Sequence, residues 1–395
     1  MIKVLYLIDT LEVGGAEKSL LTITSGFQNV IPIFVYIYPG GTLEEKFKAK
    51  GIMVYSLNIS KEYNFGEALK LLIPLVKKVQ PHIIHSTLFK SDIISRRVKN
   101  HLSIPLINSL VNNSYIKERY NNLSLLDKMK LYIIQQYDAH TSQNVDLFIS
   151  NSEAIKITNA KALKLSNKKI RVIHRGRDPE IFKAGLDNKL ETLSDELDIR
   201  GRKVLLNVSR LLERKGQLDL LKAFKKVTDK RNDIKLLIAG EGNFRTVLES
   251  YIFENNLQDK VQLLGNRADI PNLLKLADLF VFPSWYEGLP GALIEAMMSN
   301  TPIVASNIPE NLECLDYESA LIYNKADICS LITSLDLALK NDHEMRKKAE
   351  RALEISKKFE ISSIIRQYEL TYYELLDLPY NSLNSKKFEN SSPYT

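Results

Sequence analysis

Two hydrophobic patterns alternate along the 395-residue chain. Short apolar runs rich in Ile and Val, typical of buried parallel strands, are separated by longer segments with apolar residues every three or four positions, typical of amphipathic helices. Strands are predicted at 2–8, 31–38, 52–57, 82–85, 105–110, 146–150, 170–173, 203–208, 234–239, 260–264, 279–282 and 302–305. The alternation predicts an α/β fold with two Rossmann-like, doubly wound domains.

The domain limits are predicted from where these patterns stop. The stretch from Lys183 to Arg202 is polar and acidic and contains no strand pattern, which places one domain at 1–183 and a second at 184–358. An amphipathic terminal helix is predicted within 359–378. Residues 379–395, rich in Asn, Ser and Lys, are expected to form a disordered tail.

Composition favours a packed protein of a reducing compartment. Hydrophobic residues make up 45% of the chain and charged residues 26%, which excludes a disordered or collagen-like chain. Two cysteines, Cys314 and Cys329, are too few for a disulfide framework. No apolar run approaches the ~18 residues of a membrane span. A cytoplasmic protein, free or peripheral on the inner face of the cell membrane, is therefore expected.

The positive charge is unevenly distributed. Residues 1–180 contain 25 Lys and Arg against 15 Asp and Glu, whereas residues 181–395 contain 29 against 32. The basic half predicts an anionic partner such as a lipid surface or a phosphorylated substrate, although solvated lysines on helix faces would give the same count. No helix-turn-helix or aromatic-interleaved basic motif supports nucleic-acid binding, so none is expected, and a basic nucleic-acid-binding protein remains only an alternative.

Two turns after predicted strands offer positions for phosphate. Gly14 and Gly15 open a helix, where backbone N–H groups and the helix dipole favour an anion, although a simple tight turn would also use them. In the second half, Arg210 and Lys215 follow a strand and precede a helix beginning near Gly216. Their side chains suit a diphosphate, Arg as a fork and Lys as a point charge.

A third turn, at 282–297, carries two carboxylates. Glu287 and Glu295 are eight residues apart, or roughly 12 Å along a helix, which could place them at opposite ends of a sugar nucleotide. Pro290 suits the first helical position, and the amides of Gly288 and Gly291 would face a ligand at the helix start. Because Glu295 lies in an otherwise apolar helix, its carboxylate needs a partner or ligand.

Taken together, these motifs resemble the retaining family 4 glycosyltransferases (group 1 glycosyl transferases) of the GT-B fold. The similarity spans about residues 1–377 and is more specific in the second half. It is carried by Gly14-Gly15-Ala16-Glu17, by Ser209-Arg210-Leu211 with Lys215-Gly216, by Ala239-Gly240-Glu241-Gly242, by Leu264-Gly265-Asn266-Arg267, and by Pro283-Ser284, Glu287-Gly288 and Glu295-Ala296-Met297.

The resemblance implies two domains facing each other across a cleft, with the terminal helix crossing back to the first. The first domain would bind the acceptor and the second a nucleotide-sugar donor. Arg210 and Lys215 would grip the donor diphosphate, and Gly15 would supply an amide to its distal phosphate. Glu295 would accept hydrogen bonds from the ribose, and Glu287 would contact the transferred sugar.

The remaining donor contacts implied by the resemblance are largely made by loops. The turn with Gly265, Asn266 and Arg267 would recognise the base through main-chain atoms, and Gly288, Leu289 and Pro290 would line the site beside the sugar. No cofactor or metal is expected, because cationic side chains and helix-terminal amides can offset charge on the leaving diphosphate. Retention would follow from attack on the front face of the sugar.

The chain departs from the family pattern at two positions. Where members often carry a His after the strand at 105–110, this chain has Asn112, which cannot take up a proton as imidazole does. His85, at another strand end, is the candidate substitute, although a packed or loop histidine would also occur at such a position. Instead of the usual Asn-Gly, the chain has Arg175-Gly176-Arg177, and both arginines are candidates for an acceptor phosphate or for structural ion pairs.

The sequence thus predicts a retaining hexosyltransferase that uses a UDP-sugar. Its expected acceptor is a lipid-diphosphate-linked saccharide in the synthesis of bacterial lipopolysaccharide, exopolysaccharide or capsule, which the basic first domain favours. A small soluble acceptor such as a sugar phosphate is an alternative. A non-catalytic protein that binds sugar nucleotides is another.

Overall fold

The computed structural model describes residues 1–121, 123–183 and 187–380, so the predicted tail from 381 onward lies outside the described residues. The chain divides into two compact units, one formed by Met1–Gly176 together with the described residues from Ile361 onward, and the other by Arg177–Glu360. The division falls seven residues before the predicted limit at 183. Its position has a packing reason, since Phe182 is buried in the core of the second unit.

The first unit is a seven-stranded parallel sheet with helices on both faces. The strand order is β3-β2-β1-β4-β5-β6-β7, with β1 (Ile2–Ile8), β2 (Val30–Tyr36), β3 (Met53–Ser56), β4 (Ile83–Thr87), β5 (Leu106–Leu110), β6 (Leu147–Ser150) and β7 (Ile170–Val172). Its connecting helices are α1 (Gly15–Ser25), α2 (Glu44–Lys48), α3 (Phe65–Val79), α4 (Phe89–Lys99), α5 (Lys117–Asn121), α6 (Leu125–Thr141) and α7 (Glu153–Leu163).

The second unit has a six-stranded parallel sheet wound in the same way. The order is β10-β9-β8-β11-β12-β13, with β8 (Lys203–Val208), β9 (Ile234–Ala239), β10 (Val261–Gly265), β11 (Leu279–Phe282), β12 (Ile303–Ser306) and β13 (Leu321–Tyr323). Its helices are α8 (Pro179–Lys183), α9 (Asp187–Glu196), α10 (Gln217–Thr228), α11 (Arg245–Glu254), α12 (Ile270–Leu276), α13 (Gly291–Met298), α14 (Pro309–Leu312), α15 (Ile328–Lys340) and α16 (Asp342–Ser356). The predicted α/β fold with two Rossmann-like units is confirmed.

Both sheets are buried on both faces, which explains the nearly continuous apolar runs. In the second unit Leu206 packs into the core on one side of the sheet and Leu205 into the core on the other. In the first unit Leu5 and Tyr6 divide in the same way. A strand covered on both sides by helices is apolar at most positions rather than at alternate ones, and polar residues within it, such as His85 and Asn108, form hydrogen bonds in the interior.

The helix α17 (Ile361–Leu375) completes the first unit. The Tyr372 hydroxyl lies 2.5 Å from the Tyr6 hydroxyl on β1 and 2.8 Å from His85 Nδ1 on β4. Glu369 accepts hydrogen bonds from the backbone N–H groups of Gln28 and Asn29, at 2.7 and 2.6 Å. Tyr372 is fully buried, so α17 is part of the core of this unit.

Each sheet contains a point where the chain reverses its direction of winding. It lies between β1 and β4 in the first unit and between β8 and β11 in the second. In open α/β sheets, ligands bind beyond the carboxyl ends of the strands that flank such a point. In the second unit these strands lead into the turns that carry Arg210, Lys215 and Glu287.

Candidate active site

The loop after β8 packs directly on the loop after β11. Gly216 has φ of +70°, and a Cβ atom there would lie 2.1 Å from the carbonyl oxygen of Pro283, so only glycine fits. Gln217 donates hydrogen bonds from Nε2 to Ser209 Oγ at 2.8 Å and to the Arg210 carbonyl oxygen at 2.9 Å. These contacts fix the main chain that carries the two predicted cationic residues, of which Arg210 has an exposed side chain.

Lys215 and Glu287 form a buried ion pair between these two loops. Lys215 Nζ donates a hydrogen bond to Glu287 Oε1, and the residues are only 9% and 8% exposed. Burial lowers the pKa of Lys215, while the Glu287 carboxylate acts in the opposite direction. Arg214 Nη1 lies 3.9 Å from Glu287 Oε2 and donates to the Tyr286 carbonyl oxygen at 3.0 Å. The Glu287 carboxylate is therefore held by cationic groups at the reversal point of the sheet.

A third carboxyl group, Glu310 on α14, supports the Glu287 loop. Glu310 is buried, and burial together with the nearby charge of Glu287 raises its pKa to about 7. The backbone N–H of Glu287 donates a hydrogen bond to it. Sequence reasoning missed this residue, although its place four positions after the end of β12 is where ligand-facing loops begin.

Glu295, on α13, is paired with Arg177. Arg177 Nε donates to Glu295 Oε1 at 2.6 Å, with both side chains about one-fifth exposed, 23% and 21%. A Cβ atom on Gly291 would lie 2.1 Å from Arg177 Nη2, so the guanidinium lies along the first turn of α13. Arg177 therefore belongs to the second unit and not, as the sequence suggested, with Arg175 in the first.

The start of α13 differs slightly from its predicted form. Pro290 is the residue that caps the helix, and Gly291 is its first residue. Leu289 is 3% exposed and packs in the core of the second unit, so its side chain is directed away from a ligand. Gly288 is half-buried. At this edge of the sheet a ligand would meet the main chain rather than these side chains.

The turn after β10 carries the residues predicted to recognise a base. Gly265 has φ of +68°, and Asn266 is exposed. Arg267 is engaged in a bidentate pair with Asp269, with Nε to Oδ1 at 2.8 Å and Nη2 to Oδ2 at 2.6 Å. This pair fixes the guanidinium of Arg267, so the accessible polar groups of the turn are its main chain and the side chain of Asn266.

The first unit brings together Gly14, Gly15 and Arg175. Gly14 caps α1, Gly15 begins it, and Arg175 Nη1 lies 3.4 Å from where a Cβ atom of Gly15 would be. A guanidinium beside a helix N-terminus favours an anion, since both carry positive charge, and the buried Glu17 carboxylate already lies there, with Oε2 2.2 Å from where a Cβ atom of Gly14 would be. Asn112, exposed just beyond β5, lies at the same carboxyl edge of the sheet.

His85 is not at this surface, which corrects its assignment as an acceptor contact. It is 0% exposed, and its two ring nitrogens lie 2.8 Å from Tyr372 Oη and 2.8 Å from Ser109 Oγ. Burial lowers the pKa of His85 to about 3, which keeps the imidazole neutral. Because its position is within β4 rather than beyond it, the side chain points into the interior beneath α17.

Within residues 1–121, 123–183 and 187–380, no group of three or more His, Cys, Asp or Glu side chains could hold a metal ion. None of the described helices is both long and apolar enough to cross a membrane. The expectation of a reaction without metal stays a prediction.

Known proteins resemble both halves of the chain. A family model described as "Glycosyl transferases group 1" matches residues 190–355, and one described as "Glycosyltransferase Family 4" matches residues 13–181. An uncharacterized glycosyltransferase of Methanocaldococcus jannaschii is 31% identical over 46% of this chain and 54% of its own length. The UDP-Gal:alpha-D-GlcNAc-diphosphoundecaprenol alpha-1,3-galactosyltransferase of Escherichia coli is 36% identical over 42% of this chain and 44% of its own length. The chain thus spans about half the length of these two relatives.

Two further similarities extend over most of the chain. The capsular polysaccharide biosynthesis glycosyltransferase CapH of Staphylococcus aureus is 29% identical over 80% of this chain and 84% of its own length. The crystal structure of Anabaena HepE in complex with UDP and glucose superimposes with a TM-score of 0.83, at 20% identity, over 95% of this chain and all of that one. With family models matching both units, the chain belongs to the group 1 glycosyltransferases of family 4, with a GT-B fold.

Proposed function

We propose that the chain is a retaining glycosyltransferase that transfers a sugar from a UDP-sugar to a lipid-diphosphate-linked saccharide during synthesis of a bacterial surface polysaccharide. One observation carries the proposal: the buried pair of Lys215 and Glu287 lies where the winding of the second sheet reverses, with Arg210 in the adjoining turn. Glu295, on the helix that follows, adds a second carboxylate.

In this proposal the cationic residues stabilise the leaving diphosphate. As the bond between the sugar and the diphosphate breaks, negative charge grows on the leaving oxygens, and positioned cations lower the energy of that state. Arg210 offers a bidentate fork to the phosphates and Lys215 a point charge. The pairing of Lys215 with Glu287 fixes the ammonium group before the substrate arrives.

The two carboxylates have separate roles in the proposal. Glu287 orients the transferred sugar and stabilises positive charge at its anomeric carbon, while Glu310 fixes the Glu287 loop through its hydrogen bond with the Glu287 backbone N–H. Glu295 accepts hydrogen bonds from the ribose hydroxyls. Its Oε1 already accepts one from Arg177, and a carboxylate has further lone pairs for a diol.

The proposed reaction retains the configuration of the sugar. The bond from the anomeric carbon to the diphosphate oxygen breaks, and the acceptor hydroxyl forms the new bond on the same face. The departing phosphate oxygen takes the proton of that hydroxyl. No side chain needs to act as the base, which fits the burial of His85 and the presence of Asn112, whose amide cannot accept a proton at neutral pH.

The choice of substrates rests on what relatives are named for. The E. coli relative is named for UDP-galactose and a diphosphoundecaprenol-linked acceptor, and HepE was crystallised with UDP and glucose. We propose that this chain also uses a UDP-sugar and that the turn with Gly265 and Asn266 contacts the base of UDP. The anionic acceptor we assign to the first unit, where Arg175 lies beside Gly15 at the start of α1.

A second candidate function keeps the donor and uses a small soluble acceptor such as a sugar phosphate. The cluster of Gly14, Gly15 and Arg175 favours it as well, because one guanidinium at one helix N-terminus suits a single phosphate group. Transfer to a sugar phosphate without any lipid-linked saccharide in the assay would select this candidate.

The first experiment is a binding titration with UDP, GDP and ADP in the presence of a chelator. A nucleotide that binds only the folded chain must raise its melting temperature. We expect UDP to bind, Glu295→Ala to weaken it about tenfold, and Glu254→Ala, which removes an exposed carboxylate on α11, to leave it unchanged. Absence of binding by all three nucleotides contradicts the donor site.

The second experiment follows the reaction itself. The chain is incubated with a UDP-sugar and a lipid-diphosphate-linked saccharide, and the anomeric configuration of the new linkage is read from its proton coupling constant by NMR. The proposal expects the configuration of the donor. An inverted product contradicts the retaining reaction while leaving the donor site intact.

A further inference from the structure

The solvent-facing side of α6 carries a continuous apolar stripe. Six of its large apolar side chains are between 38% and 84% exposed: Leu125, Leu126, Met129, Tyr132, Ile133 and Tyr137. At 100° per helical residue, these six fall within about 140° of one another around the helix. Leu131 and Asp138, on the opposite side, are buried against the first unit. The stripe is therefore an apolar face in addition to the one that packs on the protein.

This concentration of exposed apolar side chains is specific to α6. Among the described residues, twenty large apolar side chains are exposed, and seven of them lie on this one helix. The others are scattered over both units, as Phe253 on α11 and Leu337 on α15 illustrate. Single exposed apolar residues are normal on proteins, whereas a contiguous patch marks an interaction surface.

Charge indicates what kind of surface the stripe meets. Lys128 and Lys130 lie about 100° to either side of Met129, so they flank the stripe along both borders. Lys130 is also ion-paired with Asp127, Nζ to Oδ1 at 3.1 Å, and the excess of ten Lys and Arg over Asp and Glu belongs to residues 1–180 as a whole rather than to α6. An apolar helical face bordered by lysines is the pattern of helices that lie in the interface of an anionic bilayer.

The connections of α6 show which end of the stripe is the more apolar and where it lies. The chain leaves β5 at the carboxyl edge of the sheet, passes through α5, and enters α6, which ends six residues before β6 begins at the amino edge, so α6 runs from the carboxyl edge towards the amino edge. Leu125 and Leu126 in its first turn are 84% and 68% exposed. Gln136 and His140 interrupt the stripe near its other end. The stripe is thus most apolar at the edge that also carries Asn112.

We propose that this face of α6 binds the surface of an anionic membrane, with the first turns of the helix inserted among the lipid headgroups. Such binding would hold the carboxyl edge of the first sheet, with Gly15 and Asn112, against the bilayer. Membrane binding stands apart from the reaction. The consequence that a lipid-diphosphate acceptor is presented to this edge rests on the proposed function.

The test is flotation of the full chain with vesicles, without any sugar nucleotide. Vesicles with about 30% phosphatidylglycerol in phosphatidylcholine are compared with pure phosphatidylcholine, at about 0.05 M and about 0.5 M salt, where screening differs strongly. The test variant is Leu126→Ser/Met129→Ser/Ile133→Ser. The matched control is Val247→Ser/Phe253→Ser/Leu337→Ser, which removes the same number of exposed apolar side chains from the second unit.

We expect the wild type and the control to float with anionic vesicles at low salt, and the test variant to lose at least tenfold in partition coefficient. Lys128→Glu/Lys130→Glu should lose several-fold, mainly at low salt. A wild type that does not float, or a test variant that floats like the control, overturns the proposal. So does a wild-type dimer that the test variant converts to a monomer while vesicle binding is unchanged, because the stripe then joins two copies.

The two proposals fail independently in these experiments. UDP binding is measured without vesicles and vesicle binding without UDP. A test variant that still gains melting temperature with UDP is folded, so its loss of flotation reports the surface of α6 alone. If the chain floats with vesicles but binds no nucleotide, the membrane proposal stands and the proposed reaction is contradicted.

Discussion

The two units share one winding pattern but treat their polar residues differently. In the second unit, the charged residues of the candidate site lie in loops beyond the strands, as Lys215 and Glu287 do. In the first unit, polar residues near the same kind of strand end are sealed inside. His85 is enclosed by hydroxyl groups, Asp92 accepts a hydrogen bond from Ser86 Oγ at 2.6 Å, and burial raises the pKa of Asp92 to about 7.

This difference shows which side chains near the end of a strand can reach a ligand. A side chain within the strand is covered by the flanking helices, whatever its chemistry, and must find its hydrogen bonds in the interior. A side chain beyond the strand can face a ligand. His85 is within β4 and is a buried structural histidine, whereas Glu287 follows the end of β11 by five residues and is the carboxylate for which we propose a role in the reaction.

The largest expected effect comes from Glu287→Gln. Removing the negative charge beside the transferred sugar should lower kcat about 100-fold or more, as with other groups that act mainly in the transition state, while the affinity for UDP changes little. Steady-state kinetics with UDP titration measures both. Glu254→Gln is the matched control. A kcat within threefold of the wild type would show that Glu287 has no such role.

His85→Ala should lower the stability of the protein rather than its activity. It removes a buried ring and leaves the Tyr372 and Ser109 hydroxyls without their partner, which should lower the free energy of unfolding by about 3 kcal/mol. The activity of the protein that remains folded should be nearly unchanged. Urea unfolding and kinetics on one preparation compare the two. Unaltered stability with lost activity would place His85 at the site after all.

His85 and Glu310 should make opposite contributions to the pH dependence of stability, and Asp92, in the same unit as His85, should act in the direction of Glu310. His85 has a folded pKa of about 3 against an ordinary 6.5, so the unfolded state binds more protons between these values and stability falls as pH is lowered. From pH 6.5 to 5 the loss is about 2 kcal/mol. Glu310, raised from 4.5 to about 7, makes stability fall as pH rises through that window.

Single variants separate these two contributions. Unfolding is followed from about pH 5 to pH 7 for the wild type, His85→Gln and Glu310→Gln. Subtracting each variant from the wild type should give slopes of opposite sign. Slopes of the same sign would contradict the assignment of at least one group.

The smallest expected effect belongs to Arg177→Ala. Its pairing with Glu295 is partly exposed, and such pairs contribute about 1 kcal/mol, so losing the orientation of the carboxylate should weaken UDP binding about fivefold. The control is Arg202→Ala, which breaks the ion pair with Asp198 elsewhere in the second unit. Calorimetry measures both. Tighter UDP binding by Arg177→Ala would mean that Arg177 competes with the ribose for Glu295.

The sequence sufficed for the fold because its short apolar runs alternate regularly with segments of helical period. The predicted limits of the strands β8, β9 and β11 match the structure. β13 was missed, since three residues are too few for a pattern. α9 was missed because it lies in an acidic stretch that resembled a linker, although Leu193 on this helix packs in the core.

The candidate site was predictable only in part. Lys215 and Glu287 each lie in a turn with a recognisable pattern, but their pairing joins residues 72 positions apart and depends on how two loops pack. The hydrogen bond between Arg177 and Glu295 joins residues 118 positions apart. It could not be predicted from the sequence, which suggested that Arg177 lies with the acceptor residues of the first unit, whereas it belongs to the second. The position of Glu310 after β12 was a weak signal, and its burial beside Glu287 depends on how the two loops pack.

The attachment of α17 to the first unit has a consequence for synthesis on the ribosome. The chain leaves this unit at Gly176 and returns to it at Ile361. The hydrogen bonds of Tyr6 and His85 with Tyr372 therefore cannot form until the ribosome has synthesised residue 372. Residues 177–360 emerge in one uninterrupted piece. The second unit, although later in the sequence, is therefore the first whose residues are all available to fold.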